Sequence, residues 1–174
     1  MPMRLWVVPI MAAHIVKAKI EDIDMIVPLI AAFRCTLRGF MGLQTTPDVE
    51  AAYDEFMEYM EKDYPIFIYK ENHNCVGYLV CRIDAPVVWV ESLFVDPSAR
   101  RRGIASVLYR YAEKLAHSYG QQTLYNCVHP NNDGMIAFLA KRGYDVLNLI
   151  EIRKKRPDEA AKEKIAVGNN AFRF

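Results

Sequence analysis

Residues 87–105 constrain the fold more than any other part of this chain. Val87-Val88-Trp89-Val90-Glu91-Ser92-Leu93-Phe94-Val95 is an almost continuous apolar run, Asp96-Pro97 ends it, and Arg100-Arg101-Arg102-Gly103-Ile104-Ala105 leads into a helical pattern. The order is strand, turn, basic loop, helix. The first turn of a helix offers unpaired backbone N–H groups and a partial positive charge, so a phosphate placed there is held by geometry as well as by charge. Gly103 lets the backbone come close to an anion, the small Ala105 and Ser106 keep the first turn clear, and three arginines add permanently charged, fork-shaped donors. The same triplet also reads as an ordinary solvated surface. Neither G-x-G-x-x-G nor G-x-x-x-x-G-K-[ST] occurs in the sequence, which removes the dinucleotide fingerprint and the nucleoside triphosphate loop.

The flanking patterns predict one α/β domain. A short strand over 15–20 leads to a helix opened by Glu21, Asp22 and Asp24, with Ile23, Ile26, Val27, Ile30 and Phe33 on one face. Residues 37–46 read as loop. Pro47 starts a second helix with Val49, Tyr53, Phe56, Met57 and Met60 inward and Glu50, Asp54, Glu55, Glu58 and Glu61 outward. Strands over 66–69, 76–83 and 87–95 suggest an antiparallel meander. Ile104, Leu108, Tyr111, Ala112, Leu115 and Tyr119 then form a helical stripe that Gly120 stops. A strand over 123–128 follows, then a short helix capped by Asn132 or Asp133, and another strand over 146–152. In the tail, 157–166 has a helical option and 171–174 an edge-strand option.

Charge and cysteines narrow the function class. With 22 basic against 21 acidic side chains in 174 residues, the chain lacks the broad positive field of a general nucleic-acid binder, while a small anionic ligand remains compatible. Cys35, Cys75, Cys81 and Cys127 form no C-x-x-C pair and match no zinc spacing, so no metal site is expected and a reducing cytoplasm fits. Residues 1–13 read as an N-terminal extension, with Met11 as an alternative start, rather than a signal peptide, and no segment reaches membrane-spanning length.

Arg100-Arg101-Arg102-Gly103-Ile104-Ala105 resembles the [QR]-x-x-G-x-[GA] acyl-CoA pyrophosphate loop of the GNAT superfamily of N-acetyltransferases. The strand before it and the amphipathic helix after it also look like that family. Asn132, followed eleven residues later by Gly143 and then Tyr144, is similar to its second signature, and Ala18-Lys19-Ile20-Glu21-Asp22-Ile23 to its first strand and helix. The resemblance covers roughly residues 14–152, leaving 153–174 as a tail that completes the sheet or contacts a partner in a homodimer. It implies a three-layer fold: a mixed, mostly antiparallel central sheet split by a cofactor cleft and flanked by about four helices. It further implies that acetyl-CoA is the co-substrate, that Phe94 and Val95 offer backbone groups to the pantetheine arm, and that amides from Arg101 through Arg102, Gly103, Ile104 and Ala105 to Ser106 hold the pyrophosphate. Asn132 would contact the cofactor arm from the other side.

Acyl transfer to an amine needs a neutral nucleophile, yet an alkylammonium of pKa about 10.4 is almost wholly protonated at neutral pH. Glu91 is the candidate base, being the only charged residue between Pro86 and Asp96; burial there would raise its pKa into a useful range. The surrounding strand is also similar to that of the spermidine/spermine acetyltransferases, in which a Glu at this place has that role. A structural glutamate is the other reading of the same residue. Many family members place a proton-donating Tyr seven residues after the signature Asn; here that residue is Leu139, so Tyr144 or Tyr125 or water would have to protonate the thiolate. Cys127 reads as a small core residue before a nucleophile, and His129 as a loop residue.

Three functions follow. The leading one is an N-acetyltransferase moving acetyl from acetyl-CoA to a primary amine of a small molecule, polyamine or peptide, by direct attack in a ternary complex. The second is a catalytically silent acyl-CoA-binding sensor or assembly module, motivated by Leu139. The third, a small nucleic-acid-binding domain using the arginine triplet and Arg153-Lys154-Lys155-Arg156, predicts steeply salt-dependent binding and has no support from net charge. The acidic face of the second helix could draw in a cationic amine, though a solvated face is the preferred reading.

Overall fold

Apolar segments of strand period build a five-stranded sheet of order β1-β2-β3-β4-β5 in a computed structural model that describes residues 14–155, 157 and 164–173. The extension 1–13 lies outside the described residues. β1 (His14–Lys17), β2 (Ile66–Glu71), β3 (Asn74–Asp84) and β4 (Val87–Val95) pair antiparallel in sequence, and β5 (Tyr125–Asn126) joins β4 in parallel. The sheet is thus mixed and mostly antiparallel. Asn72 and His73 both take positive φ between β2 and β3, the conformation that lets a two-residue hairpin follow the twist of its strands.

Four α-helices accompany the sheet among the described residues: α1 (Ile23–Phe40), α2 (Val49–Glu61), α3 (Ile104–Ser118) and α4 (Asp133–Ala140). Cross-strand partners share a sheet face, so Tyr78 and Phe94, and Val80 and Ser92, lie on one side, with Leu79, Cys81 and Val90 on the other. Ile26, Ile30, Phe56, Ile68, Tyr78, Val80 and Phe94 form a continuous buried core between α1, α2 and the first side. Each such side chain contributes about 1.5–3 kcal/mol by leaving water. On the second side Phe67 meets Tyr111 of α3, whose Leu108, Tyr109 and Ala112 are fully buried.

Several boundaries differ from the sequence expectation for identifiable reasons. β1 stops at Lys17 because Ile20–Asp22 winds into a 3₁₀ turn. α1 continues to Phe40, through part of the expected loop, and is closed by Gly42 at φ 76° with the Leu43 amide on the Arg38 carbonyl. α2 begins at Val49 rather than Pro47, with Asp48 Oδ1 accepting from the Ala51 amide at 2.9 Å as its cap. Its buried residues are Ala52, Phe56 and Tyr59; Val49 and Tyr53 face solvent. The inward face is therefore rotated from the expected one, and Tyr59 can occupy it because its hydroxyl is hydrogen-bonded.

The 3₁₀ turn is secured by Asp22. Its carboxylate accepts from the Lys19 amide at 2.9 Å and from Lys70 Nζ at 2.6 Å. Burial alone would raise the Asp22 pKa, but the Lys70 and Lys19 contacts outweigh it and hold the carboxyl below its usual range. A lowered native pKa adds stability that is complete above the unfolded value of about 3.9 and vanishes as pH falls through the native value. Asp22→Asn should therefore cost about 1–3 kcal/mol at neutral pH in urea unfolding, a deficit that shrinks as acid is added. A deficit equal at neutral and strongly acid pH would contradict this.

The chain divides into two compact units, the first ending at Ile136 and the second beginning at Ala137, so that α4 straddles the boundary. In the second unit, β6 (Lys164–Val167) and β7 (Asn170–Arg173) form an antiparallel hairpin turned by Gly168 at φ 59°. The expected strand over 146–152 does not form. Val146, Leu147, Leu149 and Ile152 are 68% to 85% exposed, because the segment has strand pattern but no strand to pair with. Lys164–Val167 is strand, so the described end of 157–166 is not helical; 158–163 lie outside the described residues. No helix among the described residues is long and apolar enough to cross a membrane.

Candidate active site

The site begins with a register shift. Val80 pairs with Ser92 and Cys81 with Val90, which leaves Glu91 as an extra residue in β4. Such a bulge kinks its strand and re-aims the side chain it carries. Here it turns Val90 to the α3 side and Ser92 to the side of α1 and α2. Pairing of β4 with β5 covers only Trp89 with Tyr125 and Val90 with Asn126, so the parallel ladder ends where the bulge begins. From Glu91 onward the β5-facing edge of β4 has no strand partner among the described residues.

Glu91 is not buried. Its side chain is 37% exposed and accepts from Arg82 Nε at 3.3 Å, while the Arg82 guanidinium lies 5.1 Å from the centre of the Trp89 ring. The expected desolvation of Glu91 is thus overturned: the bulge projects the carboxylate outward and a guanidinium meets it there.

Beneath it runs a polar chain that the sequence reading did not find. Arg34 of α1 grips Glu55 of α2 with two donors, Nε reaching Oε2 at 2.6 Å and Nη2 reaching Oε1. The Tyr59 hydroxyl donates to the same Glu55 oxygen and lies 3.3 Å from Ser92 Oγ, beside the bulge. Burial and the Glu55 carboxylate both push the Tyr59 pKa up, so its hydroxyl stays protonated. Arg34, Glu55 and Tyr59, with Ala51, Asp54, Glu58, Lys62, Tyr64 and Glu91, line a solvent-open cavity of about 400 Å³. The spacing Ala52, Phe56, Tyr59 was the available signal for Tyr59; nothing local to Arg34 marks its partner on another helix.

The basic loop follows β4. Asp96 accepts from the Ser98 amide at 2.9 Å and caps the 3₁₀ turn Pro97–Ala99. Arg101 then takes φ 61° and Gly103 φ 80°, left-handed values of the kind found where successive N–H groups converge on an anion. The first bond inside α3 runs from the Val107 amide to the Gly103 carbonyl at 3.0 Å, so the amides of Ile104, Ala105 and Ser106 stand at the open N-terminus of the helix. A Cβ built on Gly103 meets nothing within 4 Å, so the approach to these amides is clear. A left-handed arginine, a left-handed glycine and free first-turn amides fit a pyrophosphate.

The three arginines do different work. Arg100 Nε donates to the Val95 carbonyl at 3.0 Å with its guanidinium 5.4 Å from the Phe94 ring centre, which ties the loop to the end of β4. Arg102 pairs with Glu71 at 2.6 Å. Arg101 has no side-chain partner among the described residues. Phe94 is buried, packing on Phe33 and Tyr78, and Val95 pairs with Gly77. Asn132 Oδ1 accepts from the Met135 amide at 3.1 Å and is the cap of α4. Asn131 Nδ2 bonds the Phe40 carbonyl, and His129 stacks on Phe40 with its pKa lowered by burial. Cys127 is exposed rather than in the core. In the second unit Leu139 is buried, and the Tyr144 amide closes the end of α4 on the Leu139 carbonyl at 3.1 Å.

A mostly antiparallel sheet that loses its last ladder at a bulge, followed by a glycine-bearing loop at a helix N-terminus, is the arrangement that the resemblance to acyl-CoA-dependent acyltransferases implies. The acetyltransferase (GNAT) family model matches residues 33–144, well over half of the chain, and the chain belongs to that family. It is accordingly an acyltransferase with acetyl-CoA as acyl donor. Solved structures share the fold at low identity. Aminoglycoside N-acetyltransferase AAC(6')-Iy in complex with CoA has a TM-score of 0.65 at 19% identity, over 86% of this chain and 99% of that one. The apo aminoglycoside 6'-N-acetyltransferase AAC(6')-IG from Acinetobacter haemolyticus has a TM-score of 0.63 at 17% identity, over 83% and 99%. A possible acetyltransferase from Clostridium difficile 630 has a TM-score of 0.65 at 17% identity, over 83% and 99%. No curated protein sequence matches the chain.

Proposed function

We propose that the chain transfers acetyl from acetyl-CoA to a primary amine by direct attack, with Glu91 as the proton acceptor. The bulge carries this reading: one irregularity in β4 ends the β5 ladder, opens the strand edge beside the α3 N-terminus and brings Glu91 to the rim of the cavity lined by α1 and α2. The amides from Arg101 to Ser106 hold the pyrophosphate, with the free Arg101 side chain adding charge; backbone groups at Phe94 and Val95 and the Asn132 side chain orient the arm. The ammonium of the acceptor gives its proton to Glu91, directly or through water. The neutral nitrogen attacks the thioester carbonyl and a C–N bond forms; the C–S bond breaks with its electron pair left on sulfur, and the second proton of the nitrogen, lost as the amide forms, passes to water. Water is the proposed proton source for that sulfur, Tyr144 belonging to the second unit, and a thiol of pKa about 8.5 leaves well enough that this proton assists the step without being required. All four cysteines are free, in keeping with a cytoplasmic setting.

Initial rates with acetyl-CoA and amine both varied test the route. Intersecting double-reciprocal lines are expected for attack within a ternary complex. Parallel lines would show an acetylated enzyme intermediate and would contradict direct attack.

A further inference from the structure

Glu91 is held loosely from outside. Its side chain is 37% exposed, and its hydrogen-bonding contact is Arg82 Nε at 3.3 Å, on a guanidinium shared with Asp84. So exposed a group takes its place from the backbone of the bulge that carries it. The two flanks of that bulge are both buried, Val90 on the α3 side at 7% exposure and Ser92 on the side of α1 and α2 at 2%. Packing holds Val90. Ser92 has little apolar surface to pack, and its hydroxyl, taken out of water, needs a partner.

That partner is the Tyr59 hydroxyl, 3.3 Å from Ser92 Oγ. The tyrosine proton is committed to Glu55 Oε1, and Arg34 Nη2 donates to the tyrosine oxygen at 3.2 Å. A hydroxyl has one proton and two lone pairs, so the lone pair that remains accepts from Ser92. Each bond in the chain thereby has a fixed direction. Glu55 is in turn gripped by Arg34 of α1, so the contact that locks α1 to α2 also reaches the inner flank of the bulge. Burial and the Glu55 carboxylate keep the Tyr59 hydroxyl protonated at neutral pH.

We propose that Tyr59 is a positioning residue for acetyl transfer: through Ser92 it pins the bulge to α2 and so sets where the Glu91 carboxylate stands at the rim of the cavity. The proposal rests on Glu91 as the proton acceptor and goes beyond that reading by assigning what aims it. Tyr59 lines the cavity and Ser92 is not among its lining residues, so the contact can be cut from the strand without altering the wall.

Tyr59→Phe and Ser92→Ala each remove one hydroxyl, from the helix and from the strand. In the full chain, with 1-aminobutane and a lysine peptide as acceptors, each should lower kcat by about tenfold while acetyl-CoA affinity, read by calorimetric titration, stays at the parent value. In the Glu91→Gln background each should cost less than about twofold, because misplacing the base has no effect once the base is gone. The full loss recurring in Glu91→Gln, or a loss in Tyr59→Phe without one in Ser92→Ala, would make Tyr59 a structural or wall residue and overturn the proposal with Glu91 still the base. Parent-like kcat in both variants would overturn it equally, and Ser92→Ala decides alone if Tyr59→Phe does not fold. Parent-like kcat in Glu91→Gln, or no transfer to either acceptor by the unmodified chain, would overturn the proposal together with the reading beneath it.

Discussion

Gly103→Asp should weaken acetyl-CoA binding by about 100-fold or more, read by calorimetric titration. Two effects combine. At φ 80° any side chain disfavours the native backbone, by about 1–2 kcal/mol for an ordinary residue and less for Asp, which tolerates this region. The larger effect is a carboxylate set among the amides that are to hold a pyrophosphate. Because a Cβ here meets nothing within 4 Å, the variant should fold and melt close to the parent. Gly103→Ala separates the two contributions, paying the backbone cost without the charge, and should lose no more than about tenfold in affinity. Parent-like binding by Gly103→Asp would remove the loop from the cofactor site.

Glu91→Gln should lower kcat by about 100-fold while acetyl-CoA binds as before. Gln keeps an oxygen that can accept from Arg82 Nε, so the bulge and its Arg82 contact persist and only the proton acceptor is lost. The remaining rate should climb with pH as the fraction of free amine rises towards the ammonium pKa of about 10.4. An unchanged kcat would make Glu91 a structural partner of Arg82. A loss of acetyl-CoA binding would point instead to a collapsed β4 edge.

The parts of this protein that were legible before the structure are those whose determinants are close in sequence. The α3 stripe, its stop at Gly120 and the basic turn ahead of it lie within about five helical turns of chain, and periodicity suffices to find them. The bulge is different in kind. It is a mismatch between β3 and β4, visible only once Val80 is known to face Ser92 and Cys81 to face Val90. Without it, a lone acid in an apolar strand reads as buried, which Glu91 is not. Arg34 with Glu55 is likewise a contact between helices with no local mark on either residue. On α2, counting Tyr53 as inward and Tyr59 as neither placed the buried face a step away, because the amphipathic tyrosine follows its hydroxyl's partners. At 146–152 the pattern was correct for a strand, but a strand also needs an edge to join.

The central claim is that the anion loop, the open β4 edge and the acidic cavity form one site that acetylates an amine. Acceptor-dependent release of CoA thiol, followed alongside the acetylated product by mass spectrometry, tests it most directly. The account predicts one thiol released per amide formed, with both signals lost together in Gly103→Asp and strongly reduced together in Glu91→Gln. Saturable acetyl-CoA binding with no acceptor-dependent thiol release from any cationic amine, simple amine or peptide would contradict it, and would leave a protein that binds the acyl donor without using it.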